Sequence, residues 1–268
     1  MVAKPWGRPV LPAPFANPGR EPIGEIWFEP PPEMPGLLAK YLFTAEALSV
    51  QVHPSDADTL AAGLGRQGKE ECWLVIAAEP GAQLGIGTVR ELTPDALRAA
   101  AQDGSIAGLL EWFPVAAGDF FYIPAGTIHA IGAGVALVEL QQTSEITYRL
   151  YDYGRPRALH LDEGVAVARA APHAPAHRTT VPPGAARTLV EGPHFRVDKL
   201  VGAPDSAVAA RYRGAVLALP LGEGVAMTPA GEDCSAGVAL APGTGFLVES
   251  LDIMRFEPGA ECLIAQSC

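Results

Sequence analysis

The apolar residues of this chain come in short runs. LLAKYLF at 37–43, CWLVIAA at 72–78, DFFYIPAG at 119–126 and GVALVELQ at 134–141 are followed in the second half by FRVDKLVG, AVLALPL, GFLVES and ECLIAQ. Glycine and proline, with 29 and 26 copies, punctuate them. Apolar runs of this length between turn formers read as strands rather than helices. The chain is thereby constrained to a mainly β fold with many turns. One stretch departs from the pattern, TPDALRAAAQDGSIAGLLEWF at 93–113, where Thr93 can cap a helix that starts at Pro94 and runs to Asp103-Gly104. A helical insertion over about 93–113 is expected there.

With 268 residues, 49% of them hydrophobic, the chain can bury a sizeable core as one large or two modest domains. APHAPAHRTTVPPG at 171–184 lacks periodicity and is rich in Pro and Ala, the character of a linker. The expected division is a catalytic domain over 1–170, a linker over 171–184 and a second β-domain over 185–268. His173 and His177 are four apart, but Pro172 and Pro175 oppose a helix between them, so both read as solvated linker residues. A faint echo joins the halves: laying Gly243 over Gly118 without gaps places Met254 where His129 stands. It predicts chemistry in the first half and packing in the second.

The 30 acidic residues outnumber the 19 basic ones, a net charge of -11, which argues against nucleic acid or an anionic membrane as partner. An anionic substrate needs its own basic pocket. No apolar run approaches the roughly 20 residues that span a bilayer, and MVAKPWGRPVLPAP has no secretory h-region. A cytoplasmic location is expected. Cys72, Cys234, Cys262 and Cys268 form no CxxC pair and read as reduced thiols. Oligomeric state is not legible.

Chemistry gathers in three segments. Gly118, Pro124, Gly126 and His129 follow G-x5-P-x-G-x2-H: a strand, a tight turn, then a strand opening on a histidine aimed into the sheet interior. This spacing resembles the second motif of the cupin superfamily, small double-stranded β-helix barrels that often hold a metal, although Ala133 stands where the motif usually has asparagine. Upstream, Gln51 and His53 are two apart on a predicted strand and share a face. Glu71, from GKEECW, adds a carboxylate; strand alternation lets only one of Glu70 and Glu71 point inward, and Glu71 leaves Trp73 on that side. Gln51, His53, Glu71 and His129 together suit zinc or another borderline divalent ion. A lone strand histidine is more often a hydrogen-bonded core residue, and it is the combination that favours a metal. Glu139, Arg149 and Arg155 follow as a substrate wall, in which arginine forks match phosphate or hydroxyl groups; surface pairing with Asp152 or Glu145 is the plainer alternative.

Six motifs in order carry a more specific resemblance: KPWG (4–7), IGEIW (23–27), LSVQVHPSD (48–56), GKEECW (68–73), YIPAGTIHAIG (122–132) and ELQQTSEITYRLYDYGR (139–155). They resemble the type I mannose-6-phosphate isomerases, zinc enzymes of the cupin superfamily, in their short bacterial form. The resemblance implies a cupin jelly roll with a helical insertion and a second, degenerate cupin-like domain. It implies one zinc ion per chain on Gln51, His53, Glu71 and His129, phosphate contacts from Lys40 and Ser49, an active-site lysine at Lys69, an active-site carboxylate at Glu139 and a catalytic arginine at Arg149. Arg155 stands where longer relatives have a lysine, which would place it on the phosphate. The implied reaction interconverts mannose 6-phosphate and fructose 6-phosphate through a cis-enediol or enediolate. Arg8 and the Pro-rich stretch after WG depart from the family pattern. The alternatives are a cupin isomerase of another sugar phosphate and a non-catalytic sugar-binding cupin.

Overall fold

The structure is a computed structural model that describes residues 1–19, 21–228 and 237–268; Cys234 lies outside the described residues. The chain divides into two compact units, one of residues 1–12, 16–27 and 40–180, the other of 13–15, 28–39 and 181–268. Cys72, Cys262 and Cys268 are free thiols. Among the described residues no helix is long and apolar enough to cross a membrane.

Up to residue 180 the strands are β1 (Val2–Arg8), β2 (Ile23–Phe28), β3 (Leu37–Phe43), β4 (Val50–Val52), β5 (Glu71–Ala78), β6 (Gln83–Thr88), β7 (Leu110–Pro114), β8 (Asp119–Ile123), β9 (His129–Ile131), β10 (Val135–Gln142), β11 (Tyr148–Tyr151) and β12 (Arg178–Thr180). They form a seven-stranded sheet, β1-β2-β3-β10-β5-β8-β12, and a five-stranded sheet, β11-β4-β9-β6-β7. Trp73 and Val75 of the first sheet pack with Leu84 and Ile86 of the second in one core. This is the two-sheet barrel of the cupin fold.

Helix α1 (Asp56–Ala61) follows β4, α2 (Pro94–Asp103) and α3 (Ile106–Leu109) precede β7, and α4 (Leu161–Val167) follows β11. In α2 the Thr93 side chain accepts from the Ala96 amide and Gly104 ends the helix in the left-handed conformation, both as the sequence predicts. Leu97, Ala100 and Ala101 of α2 pack with Val50, Val52 and Leu150. Because side chains alternate along a strand, the helix that buries Val50 and Val52 turns Gln51 to the opposite face. The insertion ends earlier than 113: residues 110–114 form β7, with Phe113 opposite Leu84 of β6.

The segment 171–184 is partly built into the sheet. Arg178–Thr180 pairs with β8 at the sheet edge. His173 is only 7% exposed, with its ring beside Phe113 and Phe121 at 6.4 and 6.3 Å. The solvated reading of His173 is therefore corrected. The aromatic face of β7 and β8 offers the imidazole more apolar contact than solvent does.

The second unit contains β13 (Arg187–Glu191), β14 (Phe195–Val201), α5 (Ser206–Arg211), β15 (Val216–Pro220), β16 (Val225–Met227), β17 (Val238–Ala239), β18 (Phe246–Val248), β19 (Met254–Phe256) and β20 (Glu261–Ser267). Its sheets run β13-β14-β20-β15-β18 and β17-β16-β19. Met254 opens β19 as His129 opens β9, and it is buried with Leu200, Val216, Val248 and Ile264.

Candidate active site

Strand register assembles the site. Gln51 of β4 stands opposite His129 of β9 on one side and Arg149 of β11 on the other. In the other sheet Gln141 and Glu139 of β10 stand opposite Glu71 and Trp73 of β5. The turn before His129 depends on Gly126, whose φ of 83° lies in the left-handed region. Its amide donates to the carbonyl of His53 at 2.8 Å, which ties the two histidine segments together.

His53, Glu71 and His129 each offer a donor atom within 4.8 Å of the others, and all three are buried. His53 Nδ1 meets the Ile146 carbonyl and His129 Nδ1 the Thr127 carbonyl, each at 2.9 Å. An imidazole that donates from Nδ1 keeps a lone pair on Nε2, and both Nε2 atoms face Glu71, at 3.7 and 3.3 Å. Burial, reinforced by the Lys69 charge, holds His129 down at about 4 and His53 well below the ordinary histidine value. Both rings are neutral, the form that binds metals. Among the described residues, buried Glu71 Oε1 has no hydrogen-bond partner, an orphan acceptor at the centre of the cluster. The donor set and this bare oxygen fit a divalent cation. Gln51 Nε2 lies 3.2 Å from His129 Nε2 and 3.5 Å from His53 Nε2, and turning the amide over presents its oxygen at the same place. The inward choice of Glu71 agrees with the structure: Glu71 is 1% exposed, whereas Glu70 accepts a hydrogen bond from Tyr122.

Three buried charges surround the cluster. The Lys69 ammonium contacts Glu71 and lies 3.1 Å from His53 Nε2. Glu139 accepts from Trp73 Nε1 at 3.1 Å and has Lys40 and Lys69 Nζ within 3.6 and 4.0 Å. Lys40 donates to Gln141 at 2.8 Å and stands 4.3 Å over the Trp27 ring. Burial pushes the Glu71 carboxyl up to about 7 against the pull of Lys69. For Glu139, burial is outweighed by Lys69 and Lys40, which hold it below the ordinary carboxylate range. Burial likewise pulls Lys69 down, but Glu139 and Glu71 raise it above its usual value. Lys69 is thus a fixed positive charge.

These residues open into a cavity of about 300 Å³ lined by, among others, Lys40, Ser49, Gln51, Lys69, Glu139 and Arg149. Five cationic side chains line it (Lys4, Lys40, Lys69, Arg149 and Arg157) against three carboxylates (Glu25, Glu139 and Glu145). A protein with a net charge of -11 thus carries a locally basic cleft. Arg155 is not on its wall; its Nη2 donates to the Ala47 carbonyl at 2.7 Å and meets Asp152 at 3.1 Å. Arg157 and His160, which carried no motif, do line the cavity. So do Lys4, Glu25 and Trp27, quoted above only as motif letters. Glu25 there accepts from Trp27 Nε1 at 2.8 Å and pairs with Lys4 at 2.9 Å. The glycine of IGEIW makes this possible, since a Cβ at Gly24 would lie 2.6 Å from the Lys4 side chain and 2.7 Å from that of Trp6.

No family model matches the chain. The mannose-6-phosphate isomerase of Streptococcus mutans is 45% identical over 137 residues, 49% of this chain and 43% of the relative. Mannose-6-phosphate isomerase ManA of Bacillus subtilis is 38% identical over 173 residues, 61% of this chain and 54% of the relative. The alignments thus span about half the length of these curated relatives. The crystal structure of the mannose 6-phosphate isomerase from Bacillus subtilis superposes with a TM-score of 0.70 at 26% identity, covering 86% of this chain and 75% of that one. In sequence and in fold the chain is similar to the mannose-6-phosphate isomerases, the family to which its motifs point.

Proposed function

We propose that this chain is a zinc-dependent aldose-ketose isomerase that interconverts mannose 6-phosphate and fructose 6-phosphate through a cis-enediol or enediolate. The observation that carries the reading is a buried His-Glu-His donor cluster whose neighbours Gln51 and Lys69 line one cavity with Glu139 and Arg149, inside a basic cleft of an acidic protein. Gln51, His53, Glu71 and His129 would hold the ion. When bound, zinc supplies Lewis-acid stabilisation of the sugar oxygens on which negative charge develops.

The chain's own groups do the rest. Arg149, whose guanidinium has no hydrogen-bond or ion-pair partner among the described residues, adds a permanent positive charge where the enediolate forms. Glu139, ionised between Lys40 and Lys69, is the group suited to accept the proton from one carbon and return it to the next. Lys69, held protonated, steadies Glu71 and Glu139 and yields its contact with His53 when the site fills. Lys40 and Ser49 line the same cavity and reach the substrate's phosphate, whose binding energy positions the reacting carbons. The domain roles belong to the same proposal: residues 1–170 perform the chemistry and 185–268 form a packing domain.

The test is an assay of purified, zinc-loaded protein on mannose 6-phosphate, coupled to detection of fructose 6-phosphate. Turnover supports the reading. Absence of turnover with metal content at one ion per chain sinks it, and a panel of other sugar phosphates then separates a different isomerase from a binding protein.

A further inference from the structure

We infer that the loop of residues 152–160 builds an anion subsite for a phosphate monoester, with Arg157 as its principal cation and His160 and Ser49 as companion donors. The inference rests on the isomerase reading only for the identity of the sugar attached to the phosphate. It also moves onto Arg157 the phosphate role that the motif comparison assigns to Arg155.

Chain direction supplies the first argument. The metal-type donors His53 and Gln51 lie at one end of the β4 segment, and Ser49 lies two residues before Gln51, further from His53. Strand β11 runs antiparallel to β4, with Arg149 opposite Gln51 and Tyr151 opposite Val50. Leaving β11 after Tyr151, the chain therefore emerges at the Ser49 end. The contact of Arg155 Nη2 with the Ala47 carbonyl, 2.7 Å away, fixes the loop there. The loop then closes on itself: the His160 amide donates to the Arg149 carbonyl at 2.8 Å, and the Arg149 amide donates to His160 Nδ1 at 3.2 Å. Arg157 and His160 thus line the same cavity as Ser49 and Arg149.

The hydrogen bonds supply the second. Asp152 is 3% exposed and grips Arg157 in two places, Nε to Oδ2 at 2.6 Å and Nη2 to Oδ1 at 2.7 Å. A guanidinium has five N–H donors; this fork uses two and leaves three on the opposite edge, in a side chain whose rotamer is already fixed. That is the preorganised edge that matches two phosphate oxygens. Because His160 Nδ1 accepts a backbone amide, its proton sits on Nε2, where it can donate. Arg155, in contrast, directs Nε and Nη2 to the Asp152 and Ala47 carbonyls. It supports the loop from behind the wall.

The test is calorimetric titration of the full-length, zinc-loaded chain with inorganic phosphate, mannose 6-phosphate and mannose, in wild type and in Arg157→Gln, Arg157→Lys and Arg155→Gln. Arg157→Gln should weaken both phosphate ligands at least tenfold, leave zinc content and mannose binding within twofold of wild type, and be partly rescued by Arg157→Lys. Arg155→Gln should lose less than Arg157→Gln. Phosphate affinity unchanged in Arg157→Gln, or a loss in Arg155→Gln as large or larger, overturns the assignment, as does a wild type that binds neither phosphate ligand. Should Arg157→Gln melt markedly lower than wild type, Arg157→Lys carries the decision, and full wild-type affinity with no loss in KM for that variant counts against the bidentate fork. A wild type that binds phosphate yet isomerises no sugar phosphate refutes the isomerase reading alone.

Discussion

The two β-units put different chemistry at positions that the gapless sequence overlay sets side by side. In the first, His129 opens a short strand after a Gly-Pro-Gly turn and faces His53 and Glu71. In the second, Met254 opens the strand that the gapless overlay predicts, and it packs among Leu200, Val216 and Ile264. The first unit buries Lys40, His53, Lys69, Glu71, His129 and Glu139, and it leaves Glu71 Oε1 without a hydrogen bond. In the second unit the buried carboxylate of Asp198 is met by Thr188 at 2.7 Å, by Tyr212 at 2.6 Å and by Arg211. A satisfied network stabilises a fold, whereas an unsatisfied buried acceptor marks a place where something else binds. The comparison sets a buried carboxylate oxygen left bare in the first unit against a buried carboxylate met by three side chains in the second.

The substitution with the largest expected effect is His129→Ala, which should remove the metal and with it all measurable turnover; elemental analysis showing a full complement of metal would break the comparison at its first point. Arg149→Ala comes next. It should retain the metal and lower kcat about 10²- to 10³-fold, the scale of a lost oxyanion contact, with little change in melting temperature. In the second unit, Met254→Ala should cost roughly 2–4 kcal/mol of stability through the cavity it leaves, read by denaturant titration, and should leave metal content unchanged. Tyr212→Phe should cost less, about 1–2 kcal/mol, by removing one donor from buried Asp198. An effect of either variant on the KM for sugar phosphate would blur the division between the units.

The smallest effect concerns acid. Burial first, and the charge of His177 second, hold His173 down at about 4 against an ordinary 6.5. The unfolded chain therefore takes up this proton at higher pH than the folded one. Stability from this residue is complete above about 6.5 and declines as pH falls toward 4. Replacing His173 with Phe, among Phe113 and Phe121, should flatten that part of the acid limb; an unchanged slope in metal-free protein would remove His173 from the account.

Much of the site was legible because short-range rules govern it. The two-residue spacing of Gln51 and His53 obliges them to share a strand face, and the same alternation selects Glu71 over Glu70. Thr93, Pro94 and Gly104 mark the limits of a helix through local capping chemistry. The boundaries that misled were those where a distant partner decides. Residues 110–114 become a strand because β6 pairs with them, and His173 is buried because two phenylalanines from β7 and β8 stand beside it. Neither partner is near in sequence.

The arginines show where that legibility ends. In GRPR only Arg155 falls on a motif position, and Arg157 carried no signal in the sequence. The loop's closure on Ala47 and the fork from Asp152 place one behind the cavity wall and the other on it. By itself the sequence determined the β architecture, the faces of its strands, the donor types and the acidic surface, since each follows from residue identity and a period of two. Tertiary structure decided which cations meet in one cavity, which histidine is buried and which carboxylate oxygen stays bare. Those depend on strand register and loop closure, in which contacts between residues far apart in the chain outweigh any local preference.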